Sequence, residues 1–358
     1  MTQRTTLAAY RRPILASFIA VVAALFACSN GNDDEPPPFN SVGDYVANAS
    51  TIKASGDTLL ITLQRLENFF ATKPGLLVRI KASTKTVIDT IQLNFYNPGS
   101  SVLSNGKLYV SSQKYNEDYS IDLAKSGVEV VNLATGIPEI LATGTQLRGG
   151  ANGIALDKAN QILYVSVYEY YGSAPVKSIN LSSKSVGTAL PDIADSFAGL
   201  VFDDDSKKLF IADAGSLKIY NTIDKVTTPV TQSPTTLPPS SLAITNSLLL
   251  NFTSNYETGE LRWMALNSTS LLADALFFHQ DSKVSVAEGN IFILERAPVG
   301  NLSCISPDVS VKKQKRLEAD NPYDVAVIGN KGYIALYDAN YVQVFDVSTC
   351  VLGEKIDF

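Results

Sequence analysis

Histidine and cysteine, two residue types often used in nucleophilic, redox and metal chemistry, are scarce in this sequence. The 358 residues include a single histidine, His279, and three cysteines, Cys28, Cys304 and Cys350. A Ser-His-Asp triad would have to use His279 as its base, but nothing marks a nucleophile beside it in FFHQDS (277–282). There is no CxxC pair, so the usual redox and zinc-finger motifs are excluded. The sequence therefore predicts a binding protein more readily than an enzyme.

The first 27 residues predict a signal peptide. They contain three arginines and no acidic residue, and they end in the apolar run ILASFIAVVAALFA (14–27). That run is shorter than the about 20 apolar residues that a membrane-spanning helix needs. LFAC (25–28) resembles the lipobox of bacterial lipoproteins. The resemblance implies that Cys28 is acylated, becomes the new N-terminus and holds the protein at a membrane; the alternative is an ordinary signal peptide with a chance cysteine.

Residues 28–39 predict a flexible tether, because SNGNDDEPPPF (29–39) is polar, acidic and rich in proline. In lipoproteins that resemble this one, aspartate after the cysteine favours the inner membrane, so Ser29 favours the outer membrane of a bacterial envelope. Without residues 1–27 the chain keeps 26 basic and 35 acidic residues, a net charge of about −9. This charge disfavours binding to nucleic acid, which depends on neutralising phosphates.

A repeat of about 45 residues fills residues 40–358. AGLVFDDDSKKLFIADAGSLKIYNT (198–222) and YDVAVIGNKGYIALYDANYVQVFDV (323–347) each read as strand, polar turn, strand, turn, strand. The second strands of the seven copies open near Thr58, Lys107, Ile162, Leu209, Leu248, Ile291 and Tyr333. Four short strands in every 40–50 residues are typical of a β-propeller. The sequence therefore predicts an all-β propeller of seven four-stranded blades, which we expect to be a monomer.

KLYVSS (107–112), LFIADAGSLKIYN (209–221) and YIALYDANYVQVFDVST (333–349) resemble the YVTN and NHL families of β-propeller repeat. The resemblance covers about residues 49–358 and implies the fold, but propellers host binding, catalysis and scaffolding alike. Each copy supplies four strands of its own. We expect VGDYVAN (42–48) to add an edge strand beside GEKIDF (353–358).

ANGIALDKANQILYVSV (151–167) resembles a stretch of the gluconolactonase, arylesterase and strictosidine-synthase-like propellers. In those proteins an Asn of the NG pair faces the channel and helps to bind calcium, which implies Asn152, together with Asp324, as ligands of a calcium-dependent hydrolase. Hard cations need several converging oxygen ligands. The equivalent positions of the other copies are mostly Ser, Ala or Tyr. We therefore expect no cofactor and keep the calcium-dependent hydrolase as the alternative.

The loops between second and third strands are long only in the first three copies, where they read RLENFFATKPG, QKYNEDYSIDLAKS and YEYYGSAP. They carry Phe69, Phe70, Tyr115, Tyr119, Tyr168, Tyr170 and Tyr171. In up-and-down blades these loops leave the same face as the connections between blades. Large rings with few rotatable bonds suit recognition. This predicts a face that binds a protein, a peptide or a glycan, unless the rings fold down and pack the loops themselves.

Cys304 and Cys350 lie 46 residues apart, which is one repeat. The spacing places them on neighbouring blades at a similar radius. In an oxidising compartment a disulfide then forms if the Cα atoms lie within about 7 Å. The alternative is two separate buried thiols.

Overall fold

The computed structural model describes residues 46–358 except 68–69, 169–173, 197–198, 214, 233–236, 256, 273, 297–298, 310–311 and 318–320. The described chain forms a β-propeller of seven blades. Every blade is an antiparallel sheet whose four main strands follow one another in chain order. The predicted fold class and blade count are confirmed.

Each of the first four blades uses one continuous segment. Blade 1 contains β1 (Val46–Ser55), β2 (Thr58–Glu67), the short β3 (Phe70–Ala71), β4 (Pro74–Lys81) and β5 (Thr86–Tyr96). Blade 2 contains β6 (Pro98–Ser104), β7 (Lys107–Ser112), β8 (Gly127–Asn132) and β9 (Ile137–Thr143). Blade 3 contains β10 (Gly150–Asp157), β11 (Ile162–Tyr168), β12 (Val176–Asn180) and β13 (Val186–Ala189). Blade 4 contains β14 (Leu200–Asp203), β15 (Lys208–Asp213), β16 (Ser216–Asn221) and β17 (Val226–Pro229).

The last three blades repeat the pattern. Blade 5 contains β18 (Pro239–Ile244), β19 (Leu248–Ser254), β20 (Gly259–Ala265) and β21 (Leu276–Phe278). Blade 6 contains β22 (Ser282–Ala287), β23 (Asn290–Glu295), β24 (Asn301–Ile305) and β25 (Lys312–Arg316). Blade 7 contains β26 (Pro322–Ile328), β27 (Lys331–Leu336), β28 (Tyr341–Asp346) and β29 (Val351–Asp357). All seven second strands begin within two residues of their predicted positions.

Helix is almost absent, as the turn-rich sequence predicts. The one-turn helix α1 (Gly144–Leu147) follows β9 and is capped by Thr143, whose hydroxyl accepts from the amide of Gln146. Within the part of the chain that the structure describes, no helix has the length and hydropathy to cross a membrane.

The first strand of every blade lies at the central axis. First strands of neighbouring blades contact one another all the way around, from β1 through β26 and back to β1. The second strands are almost fully buried: in KLYVSS of β7 only Lys107 is exposed. Continuous apolar runs suit these strands because both of their faces pack against a neighbouring blade.

An apolar cluster fills each of the seven interfaces between blades. The cluster between blades 7 and 1 is the largest among the described residues, with 15 buried members. It packs Ile61 and Val78 of blade 1 with Val342 and Ile356 of blade 7. The hydrophobic effect at this interface therefore closes the ring.

The predicted edge strand at 42–48 is wrong for its described part. Residues 46–48 belong to β1 and pair with residues 64–66 of β2, while β29 pairs with β28 alone. The long run 46–55 reaches the axis as the first strand of blade 1, so it has no edge left to share with blade 7. Residues 42–45 lie outside the described residues.

A disulfide bond joins Cys304 of β24 to Cys350, which lies in the turn between β28 and β29. The Cα atoms are 6.1 Å apart, within the about 7 Å that a disulfide bond allows. The bond links blade 6 to blade 7, next to the interface that closes the ring.

We predict that the double variant C304S/C350S lowers the free energy of unfolding by roughly 2–4 kcal/mol, since the disulfide restricts the unfolded chain. Equilibrium unfolding in urea measures the effect. C28S, which removes a cysteine outside the described fold, is the control and should leave the midpoint unchanged. Equal midpoints for the double variant and the parent protein, or free thiols at both positions in the unreduced protein, would contradict the prediction.

Candidate functional site

The loop of blade 1 folds back over its own sheet. β3 pairs with the end of β2, placing Phe70 opposite Glu67 and Ala71 opposite Leu66. The amide of Thr72 donates to the carbonyl of Arg65 at 3.1 Å. Phe70 is therefore fixed by backbone pairing at one side of the face on which these loops emerge.

The loop of blade 2, residues 113–126, is ordered by its own hydrogen bonds. The amide of Asn116 donates to the carbonyl of Ser120 at 2.9 Å, and the amide of Asp122 donates to the carbonyl of Lys114 at 3.0 Å. Tyr119 turns the chain with a positive φ of 63°. The loop is thus a short hairpin that stands beside the loop of blade 1.

A groove of about 680 Å³ lies between these two loops and is open to solvent. It is lined by Phe70, Ala71, Thr72, Lys114, Tyr115, Asn116, Glu117, Asp118 and Lys125. Ligand sites in proteins commonly have volumes of about 300–1,000 Å³. The groove is therefore large enough to take several ligand side chains, although its open shape buries less of a ligand than a closed pocket does.

The structure brings together the four predicted aromatic residues that it describes. The rings of Phe70 and Tyr119 lie 5.8 Å apart, and those of Tyr115 and Tyr168 lie 6.3 Å apart. Tyr119 is 48% exposed, whereas Tyr115 is half-buried. The predicted residues Phe69, Tyr170 and Tyr171 lie outside the described residues.

Tyr115 and Tyr119 differ in whether the ring packs the loop or is presented to solvent. The hydroxyl of Tyr115 accepts from Nε2 of Gln113 at 2.7 Å, and burial raises the pKa of this tyrosine. Its ring packs the loop, as the alternative interpretation has it. Tyr119 presents its ring to solvent while leaning on Phe70, as a recognition residue would.

Both signs of charge border the groove. Nζ of Lys114 and Nζ of Lys125 lie 3.7 and 3.6 Å from Oδ2 of Asp122. Glu117 and Asp118 follow on the same loop. The groove therefore presents aromatic rings, ammonium groups and carboxylates side by side.

A second polar cluster lies in the central channel around Asp324 of β26. Its Oδ2 accepts from the amide of Ile52 at 3.2 Å and from Nζ of Lys53 at 2.7 Å. Its Oδ1 accepts from the hydroxyl of Ser285 at 3.3 Å and lies 3.8 Å from Nζ of Lys283. Asp324 thus connects blade 7 to blade 1 on one side and to blade 6 on the other.

The pKa of Asp324 reflects this environment. Burial alone would raise the pKa of the carboxyl group, but the ammonium groups of Lys53 and Lys283 and the amide of Ile52 lower it to about 2. The group is therefore ionised at neutral pH and held by two lysines.

The calcium alternative requires Asn152 and Asp324 to converge with further oxygens. Asn152 lies in β10 of blade 3, where its carbonyl accepts from the hydroxyl of Ser111, and Asp324 lies on blade 7. No group of three or more His, Cys, Asp or Glu side chains among the described residues is arranged to hold a metal ion. Calcium-dependent hydrolysis stays a prediction.

His279 lies between blades 5 and 6 and is half-buried. Its Nδ1 accepts from the amide of Asp281 at 3.3 Å, whereas a triad base donates from Nδ1 to a carboxylate. The hydroxyl of Ser282 donates to the carbonyl of His279 at 2.7 Å and not to its ring. The geometry does not build a triad here.

Sequence reasoning missed the cations of the channel, namely Lys53, Lys283 and Arg296. A signal for two of them was present. TIKAS (51–55) and SKVSV (282–286) each place a lysine among the apolar and hydroxyl residues of a first strand. A charged residue at the axis of a propeller needs a partner, and Asp324 is the matching carboxylate.

The comparisons with known proteins assign no family. No family model matches the sequence, and no curated protein matches it. Among solved structures, the chain is similar to one described as "Crystal structure of Nidogen/Laminin Complex", at 11% sequence identity and a TM-score of 0.47. The match covers 72% of this chain and 92% of that chain.

We predict that D324N destabilises the protein at neutral pH by about 2–3 kcal/mol, since the pKa of Asp324 falls from 3.8 to about 2 on folding. A carboxyl group whose pKa is lower in the folded state than in the unfolded state stabilises the fold at pH values above its unfolded pKa. The difference between parent and variant should therefore be complete above pH about 4 and shrink as the pH falls towards 2. Urea unfolding at several pH values measures it. D224N, in an exposed turn, is the control and should change stability by less than about 0.5 kcal/mol; a difference independent of pH would contradict the assignment.

Proposed function

We propose that the protein is an extracytoplasmic recognition module, held at the bacterial envelope by lipid on Cys28, that binds a protein or peptide in the groove between blades 1 and 2. The observation that carries the proposal is the groove itself, with Phe70 and Tyr115 in its wall and the exposed Tyr119 beside it. We propose no catalytic activity.

The unequal loops support this function. The loops between second and third strands span 68–73, 113–126 and 169–175 in blades 1–3, but only 214–215 in blade 4 and 337–340 in blade 7. Blade stability does not require the longer loops, because blades 4 and 7 form the same four-stranded sheets without them. Loops placed by a rigid scaffold are where proteins concentrate binding residues.

The ring geometry favours a peptide or protein side chain over a sugar. Phe70 and Tyr119 are tilted by 55° to each other, so they form a cleft and not one flat platform. A sugar ring stacks best on a flat aromatic face, whereas a cleft takes the edge of a side chain. The mixed charge of Lys114, Lys125, Glu117 and Asp118 also suits a polypeptide, which offers both signs.

The lipid and the tether fit a recognition role. Two or more acyl chains give stable anchoring, whereas one gives only marginal binding. A fully extended tether of residues 28–39 would span about 40 Å. The propeller could then search for a ligand above the membrane while remaining attached to it.

We predict that peptides selected on the protein from a displayed random library lose at least about tenfold in affinity with F70A or Y119A, because aromatic anchors carry much of the energy of such interfaces. Titration of each selected peptide measures the change. F277A is the matched control: Phe277 is an aromatic residue of β21 in blade 5 and is 67% exposed.

Two outcomes would count against the groove. Selected peptides that bind F70A and Y119A as tightly as the parent protein would place the ligand elsewhere. Binding to a glycan array without peptide binding would change the class of the ligand, and the same variants would then show whether the groove is its site.

We predict that C28A moves the protein from the membrane fraction to the soluble fraction of the cells, because the acylated thiol is lost. Fractionation and immunoblotting measure the distribution. C304S/C350S is the control, since it removes the other two cysteines together, keeps Cys28 and should stay with the membranes. Recovery of C28A in the membrane pellet would contradict the anchor while leaving the groove untested.

A further inference from the structure

Two cations meet on one ring at the channel mouth between blades 6 and 7. Lys283 lies in β22, and Arg296 directly follows β23. Nζ of Lys283 lies 5.6 Å from the ring centroid of Tyr323, and the guanidinium carbon of Arg296 lies 5.4 Å from it. The ring is held in place by Tyr337, whose ring stacks on it at 5.4 Å.

The carboxylates nearby do not balance these cations. Arg296 pairs with Asp281, and Lys53 takes Oδ2 of Asp324 at 2.7 Å. Lys283 is left with a contact of 3.8 Å to the other oxygen of Asp324. Three cations thus share two carboxylates.

Positive charge is therefore in excess where Lys283 lies. Burial lowers the pKa of Lys283, Asp324 opposes this, and Lys53 and Arg296 lower the pKa further. A third carboxyl group, that of Asp338 on the loop after β27, accepts a hydrogen bond from Nδ2 of Asn321 at 3.1 Å.

Hydrogen-bond donors remain at the same place. Arg296 can meet a solute only through its terminal guanidinium nitrogens, because its Nε is buried and has no hydrogen-bond partner among the described residues. Nζ of Lys283 donates to the carbonyl of Tyr323 at 3.2 Å, and an ammonium group has two further N–H groups. The side chains of Lys283 and Arg296 are 35% and 32% exposed, so part of each contacts solvent.

We propose that this mouth is an oxyanion site, in which Lys283 and Arg296 bind a single carboxylate or phosphate group. A guanidinium and an ammonium are the usual protein donors to both kinds of oxyanion, and charge-assisted bonds are the strong ones. The ligand would offset the repulsion between two cations that share one ring. The site is separate from the groove of blades 1 and 2 and does not depend on it.

Isothermal titration of the purified protein at constant ionic strength tests the site, with inorganic phosphate and acetate as anion probes and calcium chloride as the cation probe. We expect saturable binding of phosphate or acetate with a Kd of about 1 mM or tighter. K283Q and R296Q should each weaken it at least about tenfold. K218Q is the matched control, because Lys218 of blade 4 also pairs with a buried aspartate, Asp213, at 2.6 Å.

The titrations separate the possible results. Phosphate or acetate binding that is lost in K283Q and R296Q and kept in K218Q supports the site, and the better probe identifies the preferred oxyanion. Absence of saturable binding to the parent protein overturns the proposal whether or not the variants fold. Equal loss in K218Q also overturns it, since the effect would then be one of net charge. Calcium binding without anion binding overturns it in favour of the calcium alternative.

Discussion

The contact between blades 7 and 1 is the interaction on which the rest of the structure depends. Every blade comes from one continuous segment and shares no strand with a neighbour, so side-chain packing and side-chain hydrogen bonds, and not strand pairing, close the ring. Six interfaces join blades that follow each other in the chain, but this one joins its two ends. Its apolar cluster is the largest among the described residues. If it opened, blades 1 and 7 would each expose an apolar face to water, at a cost that grows with the exposed area.

The same closure explains the charge at the channel mouth. Asp324 of blade 7 accepts hydrogen bonds from the amide of Ile52 and the ammonium group of Lys53 in blade 1. It therefore links the first and last blades, which no strand pairing joins. A buried carboxylate needs such partners. One carboxylate cannot balance both Lys53 and Lys283, and the charge that remains lies beside Arg296. The excess positive charge at the mouth is therefore a consequence of using an ion pair to hold the ring.

The sequence allowed the architecture to be predicted because blade strands have a local signature. Continuous apolar runs and polar turns recur with a fixed period, and they located β7 or β19 to the residue. The channel contacts have no local signature: Ile52 and Asp324 are 272 positions apart, and Ser285 and Asp324 are 39 positions apart. The loops have some features that a local sequence pattern reveals and others that it does not. Their length and rings were visible in the sequence, but the packing of Tyr115 on Tyr168 depends on how two blades face each other.

The groove and the closing interface are connected through β2. Leu59, Ile61 and Leu63 of this strand are buried in the cluster between blades 7 and 1, and the end of the same strand pairs with β3, which carries Phe70. One wall of the groove is thus continuous with the strand that closes the ring. A site whose side chains are already fixed loses little conformational entropy when a ligand binds. The closure that keeps the propeller folded therefore also fixes one wall of the groove, and for the ligand that we propose, a change that loosens blade 7 against blade 1 would weaken binding without touching the ligand.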